Sequence, residues 1–391
     1  MNDSFCIAPW VHTHIETNGV VTPCCLVSDP KHSYGSLNEK NLKEIWNSDE
    51  IKSMRLDMLN GVRRPECAEC YDCESLNQSS YREQLNQEFS NHFSFVNETK
   101  DDGTVDKFNI VYWDFRFSNI CNFKCRTCYE GYSSSWAKEN GNTPTIIGID
   151  DEICDDLYSV VEKIYFAGGE PLIMDSHYKV LDKLIEYEKF DIKLIYSTNF
   201  SALDYKGKCI LDYWEKFPNL IVTASIDGIG KRGELIRDGL NWDTFIHNVN
   251  RFHERFPNRS EKFGIVCTLQ LLNAFDSIDL HKKLYEDGII KSLDNFQLNF
   301  LFEPSYFSVN CLPNVVKINL IKKIKDHIQN YLKPRGADIS QFVSYAKLLG
   351  QESRTDELKD FVREIRYIDG IRNQDTRKTF PEFEQSIWSK Y

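Results

Sequence analysis

Cys121-Asn-Phe-Lys-Cys125-Arg-Thr-Cys128 places three thiols in one short stretch, with three residues and then two between them. Three thiolates can hold three corners of a four-iron cluster and leave one iron without a protein ligand. A structural zinc site calls for a fourth Cys or His close by, and the next cysteine downstream is Cys154. A cluster with an open iron can bind a substrate or cofactor, so the spacing points to chemistry rather than scaffolding. Chance cysteines or part of a zinc site are the readings that spacing alone leaves open.

A second group lies upstream, at Cys6, Cys24, Cys25, Cys67, Cys70 and Cys73. The two groups hold nine of the thirteen cysteines, and Cys154, Cys209, Cys267 and Cys311 are scattered, as core residues would be. The chain has 391 residues and begins Met-Asn-Asp-Ser-Phe-Cys, without a basic-then-apolar leader. Clustered cysteines in such a chain read as metal binding in a cytoplasmic protein, not as a disulfide framework. No apolar run is long enough to cross a bilayer. A net charge of -12, from 47 Lys+Arg against 59 Asp+Glu, makes a poor general nucleic-acid binder.

Elements must bring these thiols together. Val20 and Val21, between Gly19 and Pro23, read as a short hairpin that presents Cys24. Leu42, Ile45, Trp46, Ile51, Met54 and Met58 keep helical spacing, so one helix over 42–59 would return the chain to Cys67 and Cys70. Residues 75–107 are polar, and 97–107 reads as a loop. Strands then follow at 109–117, 162–167, 192–198, 219–226, 263–269 and 295–302. Helices are expected between them, near 131–139, 174–189, 206–216, 241–255 and 276–287. This alternation implies parallel strands with helices outside. Six such units give an α/β fold with a partial, TIM-like (β/α)6 barrel and functional residues at the C-terminal strand ends. In the first strand Asp114 and Arg116 share a face, and in the sixth Gln297, Asn299 and Glu303 do. Charged groups in central strands are costly unless partnered. Asp114, Arg116 and Glu303 are therefore candidates to line the cavity, with a structural ion pair as the alternative. After 304 the pattern is helical, through Val315, Ile318, Ile321, Ile324, Ile328 and Tyr331, then Phe361, Ile365 and Ile368.

Motifs fall at those strand ends. The three-cysteine loop follows the first strand, Gly168-Gly169-Glu170-Pro171 the second, Ser197-Thr-Asn199 the third and Ser225-Ile-Asp227-Gly228 the fourth. This set resembles the radical SAM superfamily, although Thr127 stands where that family usually has an aromatic residue. The resemblance implies a 4Fe–4S cluster on Cys121, Cys125 and Cys128 whose open iron chelates S-adenosylmethionine. It further implies that Gly168, Gly169 and Glu170 receive the cofactor's amino group and that Ser197, Asn199, Ser225 and Asp227 contribute to binding it. Arg237 would pair with its carboxylate, or else form a surface salt bridge.

Upstream, Cys6-Ile-Ala-Pro-Trp10, the C-x12-G-x4-C run ending at Cys24, and Cys67-Ala-Glu-Cys70 are similar to the auxiliary-cluster domain called SPASM or its short form, twitch. That implies a second 4Fe–4S cluster on Cys6, Cys24, Cys67 and Cys70, with Cys73 as the alternative fourth ligand and Cys25 as a spare. A zinc ribbon over Cys67–Cys73 is the competing reading. Such a domain usually follows the barrel, and here it precedes it. The implied organisation is an auxiliary domain at 1–75, a linker at 76–108, the barrel at 109–303 and a helical C-terminal extension at 304–391. The implied activity is reductive cleavage of S-adenosylmethionine and hydrogen abstraction from a peptide or protein, leading to crosslinking, epimerisation or oxidation. A flavodoxin- or ferredoxin-type donor would supply electrons and the auxiliary cluster would relay them. Radical dehydrogenation of a small sugar or aminocyclitol is the alternative, and a non-catalytic iron–sulfur sensor is the alternative of another class.

Overall fold

A computed structural model describes residues 2–27, 29–75, 78–145 and 148–390. The chain forms two compact units. The first takes Met1–Cys121, Glu130–Tyr196 and Asp212–Leu220; the second takes Asn122–Tyr129, Ser197–Leu211 and Ile221–Tyr391.

In the first unit the strands are β1 (His12–Ile15), β2 (Val20–Thr22), β3 (Gly35–Ser36), β4 (Tyr112–Phe115), β6 (Lys163–Phe166) and β7 (Lys193–Thr198, of which the unit holds the part to Tyr196). They lie in the order β7-β6-β4-β1-β2-β3. The expected hairpin exists: β1 and β2 pair antiparallel, and Gly19 turns between them at φ 84°. Its first strand has a second partner, however. β1 runs parallel to β4, with His12 opposite Tyr112 and His14 opposite Asp114. The cysteine-rich segment thus adds a strand to the parallel sheet. Trp113, stacked on Phe115 with ring centroids 5.6 Å apart, fills the apolar face of β4, while Tyr112, Asp114 and Arg116 take the other.

Two local expectations change. The single helix over 42–59 is broken into Leu42–Ile45 and Asp49–Leu59, because Ser48 caps the second piece and so ends the first. The polar stretch after Ser75 is not all linker; Leu76 and Asn77 lie outside the described residues. Helix Tyr81–Glu88 opens on a capping box between Ser80 and Glu83. It docks onto the N-terminus: Arg82 Nη1 donates to the Phe5 carbonyl at 2.6 Å, and Asn86 Oδ1 accepts from Ile7 N at 2.8 Å.

The second unit begins with β5 (Lys124–Cys125). It adds the short ribbon β8 (Asp204–Tyr205) and β9 (Lys208–Cys209), then β10 (Asn219–Ser225), β11 (Arg237–Asp238), β12 (Phe263–Leu269) and β13 (Phe296–Phe300). Strands β10, β12 and β13 are parallel neighbours, and β5 pairs antiparallel with β11. Helices Trp242–Arg255 and Ser277–Glu286 of this unit, and Asp175–Glu186 of the first, occupy the expected intervals. The C-terminal region is helical, with Asn314–His327, Ser340–Leu349 and Leu358–Arg372 as its main pieces. The α/β class, the unclosed barrel and the helical C-terminal region are as expected. Among the described residues no helix is long and apolar enough to cross a membrane.

A buried histidine pair gives the second unit an acid sensitivity. His281 Nδ1 and His327 Nε2 are 3.2 Å apart. Burial pushes their pKa values down to about 4 and about 3. Both stay neutral in the folded state, whereas in the unfolded chain they take up protons below about pH 6.5. The unfolded state then binds more protons, so stability falls as pH drops from 6.5 toward 4, by about 1.4 kcal/mol per unit for each histidine. Thermal unfolding followed across that window should show a smaller decline in His327→Gln than in the parent chain; equal slopes would refute the assignment.

Candidate functional site

Four of the N-terminal cysteines converge. Cys6 precedes the helix Ala8–Val11, Cys24 follows β2, Cys67 ends the turn Pro65–Cys67, and Cys70 lies in the helix Ala68–Ser75. All four line one cavity, together with apolar residues that include Ala8, Met54, Met58 and Leu85. Neither Cys73 nor Cys25 lines it. The Cys73 thiol instead lies 3.5 Å from the Ser79 carbonyl. A single zinc ion draws its sulfurs to one point at about 2.3 Å, whereas a cubane takes its thiolates on separate irons. Four cysteines line a single cavity, as separate irons of one cluster would use them. The donor set therefore fits a cluster. Burial pushes the Cys6 and Cys67 thiols up to about 12, and neighbouring sulfurs add to the shift. Such thiols ionise at neutral pH only with a metal's positive charge beside them.

Cys121 ends the first stretch of the first unit. Its N–H donates to Ser134 Oγ at 3.1 Å, and Ser135 Oγ donates to its carbonyl at 2.7 Å. The Gly-Gly-Glu turn is joined to the same segment. Gly169 N donates to the Ser118 carbonyl at 3.3 Å, and Glu170 N to the Ile120 carbonyl at 2.7 Å. A Cβ on Gly169 would lie 2.1 Å from that Ile120 oxygen, so the close approach requires glycine. Gly168, at φ 119°, lies against the Arg116 side chain. The Glu170 carboxylate is buried, and Oε1 accepts from Leu172 N at 3.1 Å.

In the second unit Cys125 lies opposite Arg237 in the β5–β11 ribbon. Arg237 forms neither a surface salt bridge nor a bare cationic site. It is half-buried and pairs with the buried Asp227, with Nε 2.8 Å from Oδ2, and its Nη1 lies 3.9 Å from the Cys125 sulfur. Burial pushes the Cys125 thiol up to about 12 against the pull of that guanidinium. Asp227 also accepts from Thr268 N at 2.7 Å, so a carboxylate expected to contribute to cofactor binding is held by protein groups. An ionised carboxylate this deeply buried needs such partners. Asn199 Nδ2 donates to Asn122 Oδ1 at 2.8 Å, fastening the strand-three motif to the cysteine loop. Ser197 and Ser225 are half-buried at strand ends.

Asp114 and Arg116 pair at 2.9 Å, and the first unit adds residues that sequence reasoning missed. His14 Nδ1 lies 3.0 Å from Asp114 Oδ2, His14 Nε2 lies 3.0 Å from Glu16 Oε1, and the Tyr132 hydroxyl donates to Glu16 Oε2. Burial pulls the His14 pKa down, but hydrogen bonds to Asp114 and Glu16 outweigh it and hold the imidazolium above its ordinary value. The signal was available in His12-Thr-His14-Ile-Glu16, which puts three polar side chains on one strand face. Glu303 differs from expectation. It lies beyond the end of β13, is exposed, and accepts from Ser305 N at 3.1 Å. The strand has already ended at Phe300, and Pro304, which follows Glu303, could not donate to a ladder.

Residues 115–270 match the family model described as the radical SAM superfamily, and residues 6–74 match SPASM, an iron–sulfur cluster-binding domain. A radical SAM domain implies a 4Fe–4S cluster and S-adenosylmethionine, and a SPASM domain implies auxiliary iron–sulfur clusters. The GTP 3′,8-cyclase of Campylobacter lari is 36% identical over 107 residues, which are 27% of this chain and 32% of that protein. The chain thus matches about a third of the length of that curated relative. Among solved structures, SuiB of Streptococcus suis bound to S-adenosylmethionine is 15% identical, with a TM-score of 0.39 over 84% of this chain and 70% of that one. The anSMEcpe structure with bound AdoMet is 19% identical, with a TM-score of 0.37 over 55% of this chain and 58% of that one.

Proposed function

We propose that this protein is a radical SAM enzyme that cleaves S-adenosylmethionine reductively and abstracts hydrogen from a peptide or protein side chain. The observation that carries the reading is the joining of the Gly-Gly-Glu turn to the residue preceding Cys121, inside the stretch that matches the radical SAM model. Cys121, Cys125 and Cys128 hold the first cluster. When bound, that reduced 4Fe–4S cluster supplies the electron that splits S-adenosylmethionine into methionine and a 5′-deoxyadenosyl radical. Glu170 and the backbone of Gly168 and Gly169 receive the cofactor's ammonium. Ser197, Asn199 and Ser225 orient its remaining polar groups, and Asp227 acts by holding Arg237 charged beside Cys125. Asp114 and Arg116, with His14, form the polar wall on the substrate side. Cys6, Cys24, Cys67 and Cys70 hold the auxiliary cluster, and a flavodoxin- or ferredoxin-type protein is the donor.

The peptide reading rests on the SPASM match, since similar enzymes with this domain act on peptides and proteins. A small-molecule substrate is the second reading, favoured by the local match to GTP 3′,8-cyclase. Anaerobic reconstitution should load about eight irons per chain if both clusters have four. Cys67→Ala should lower this to about four while reductant-driven release of 5′-deoxyadenosine persists. Four irons with one zinc in the parent chain would sink the auxiliary-cluster assignment.

A further inference from the structure

The three-cysteine loop is gripped by residues from the far end of the chain. Arg126 lies between Cys125 and Cys128, and its side chain is fully buried. Its N–H donates to the Ile236 carbonyl at 2.8 Å, and Nε donates to the Leu235 carbonyl at 3.1 Å. Its Nη2 donates to Asp369 Oδ1 and to Gln374 Oε1, both at 2.6 Å. Arg372 Nη1 donates to the Lys124 carbonyl at 2.7 Å. Gln374 Nε2 donates to Asp238 Oδ2 at 3.0 Å, on the strand paired with the loop.

The geometry that delivers these groups is built into the sequence locally. Asp369 and Arg372 stand three apart near the end of helix Leu358–Arg372. Asn373 then adopts the left-handed conformation, φ 50° and ψ 48°, and returns the chain so that Gln374 meets the same guanidinium. Thr376 locks the return, with its N–H and hydroxyl each donating to Asp369 at 2.8 Å. The Arg126 guanidinium therefore reads three separate acceptors, Leu235, Asp369 and Gln374, through a fixed planar fork that Lys cannot reproduce.

We propose that Asp369–Thr376 is an outer clasp of the three-cysteine loop, in which Arg126, Asp369, Arg372 and Gln374 are positioning residues that hold Cys125 and Cys128 in ligating geometry. The inference rests on the reading that these cysteines carry the first cluster. Outer-shell partners of this kind affect metal retention by about 10- to 100-fold.

The test uses the reconstituted full chain with both clusters. Arg126→Lys keeps the charge and loses the fork; Gln374→Ala removes one acceptor at a half-buried site and spares the loop itself. Iron release to a ferrous chelator is followed, with Mössbauer spectra identifying which cluster has been lost. Both variants should lose the Cys121–Cys128 half of the iron about tenfold faster. The auxiliary half should leave at the parent rate, which also reports that the chain is folded. The electron paramagnetic resonance spectrum of the reduced first cluster should change in Arg126→Lys. Unchanged release rates and an unchanged spectrum would overturn the clasp. If Cys125→Ala leaves the iron content of the parent intact, the cluster assignment fails and the clasp falls with it.

Discussion

Replacing Cys125 with alanine should reduce iron from about eight to about four per chain and bring 5′-deoxyadenosine formation to background. Cys125 sits on the short β5 strand directly opposite Arg237, whose guanidinium is 3.9 Å from its sulfur and is itself fixed by Asp227. Cys267 does not replace the lost thiolate, because it is buried in β12 and its sulfur accepts from Asn273 Nδ2. The auxiliary cavity, lined by other cysteines, should keep its iron. Cys311→Ala, at a buried cysteine of the C-terminal region, serves as the control and should load as the parent does. Iron analysis together with quantified 5′-deoxyadenosine checks the result. A Cys125→Ala protein that retains eight irons or still cleaves S-adenosylmethionine would remove the basis of the enzymatic reading.

Gly169→Ala should be nearly as damaging, for a steric reason. The new methyl would lie 2.1 Å from the Ile120 oxygen, 2.7 Å from its carbonyl carbon and 2.9 Å from the Asn119 carbonyl carbon. All three are backbone atoms, so no side chain can swing aside. Either the Gly-Gly-Glu turn or the segment leading into Cys121 must shift, and the 2.7 Å bond from Glu170 N to Ile120 breaks. Overpacking of this kind costs about 1–3 kcal/mol, and misplacing a binding group by about an ångström costs about 100-fold in rate. Gly370→Ala is the matched control. Gly370 lies inside helix Leu358–Arg372 with nothing within 4 Å of an added Cβ, so alanine there should be neutral or stabilise by up to about 1 kcal/mol. Chemical denaturation and S-adenosylmethionine affinity measured on both variants separate the two effects. Equal affinity in Gly169→Ala and the parent would show that the turn does not position the cofactor.

Much of the fold was legible because its signals are local. Each of the six barrel strands lies within its expected interval, since apolar runs bounded by turns act over a few residues. The capping box at Ser80–Glu83 was equally local, yet the polarity of its surroundings concealed a helix that docks onto Phe5 and Ile7. The role of β1 was not legible. His12-Thr-His14-Ile15 reads as half of a hairpin, and nothing within it reveals that its other edge pairs with a strand 100 residues away. Glu303 was misjudged because a face pattern was extended past the end of β13.

The sequence by itself determined the chemistry: which sulfurs are available, how they are spaced, and that a Gly-Gly-Glu turn follows the second strand. Ligand type and short-range spacing are properties of the chain alone, so they survive without a structure. Tertiary structure decided which groups those residues meet. It put Cys6, Cys24, Cys67 and Cys70 around one cavity and left Cys25 and Cys73 outside it. It gave Arg237 to Asp227, and it brought Asp369 to Arg126 across 243 positions of chain. Such pairings are set by burial, because a charge removed from water must find a partner wherever the fold presents one.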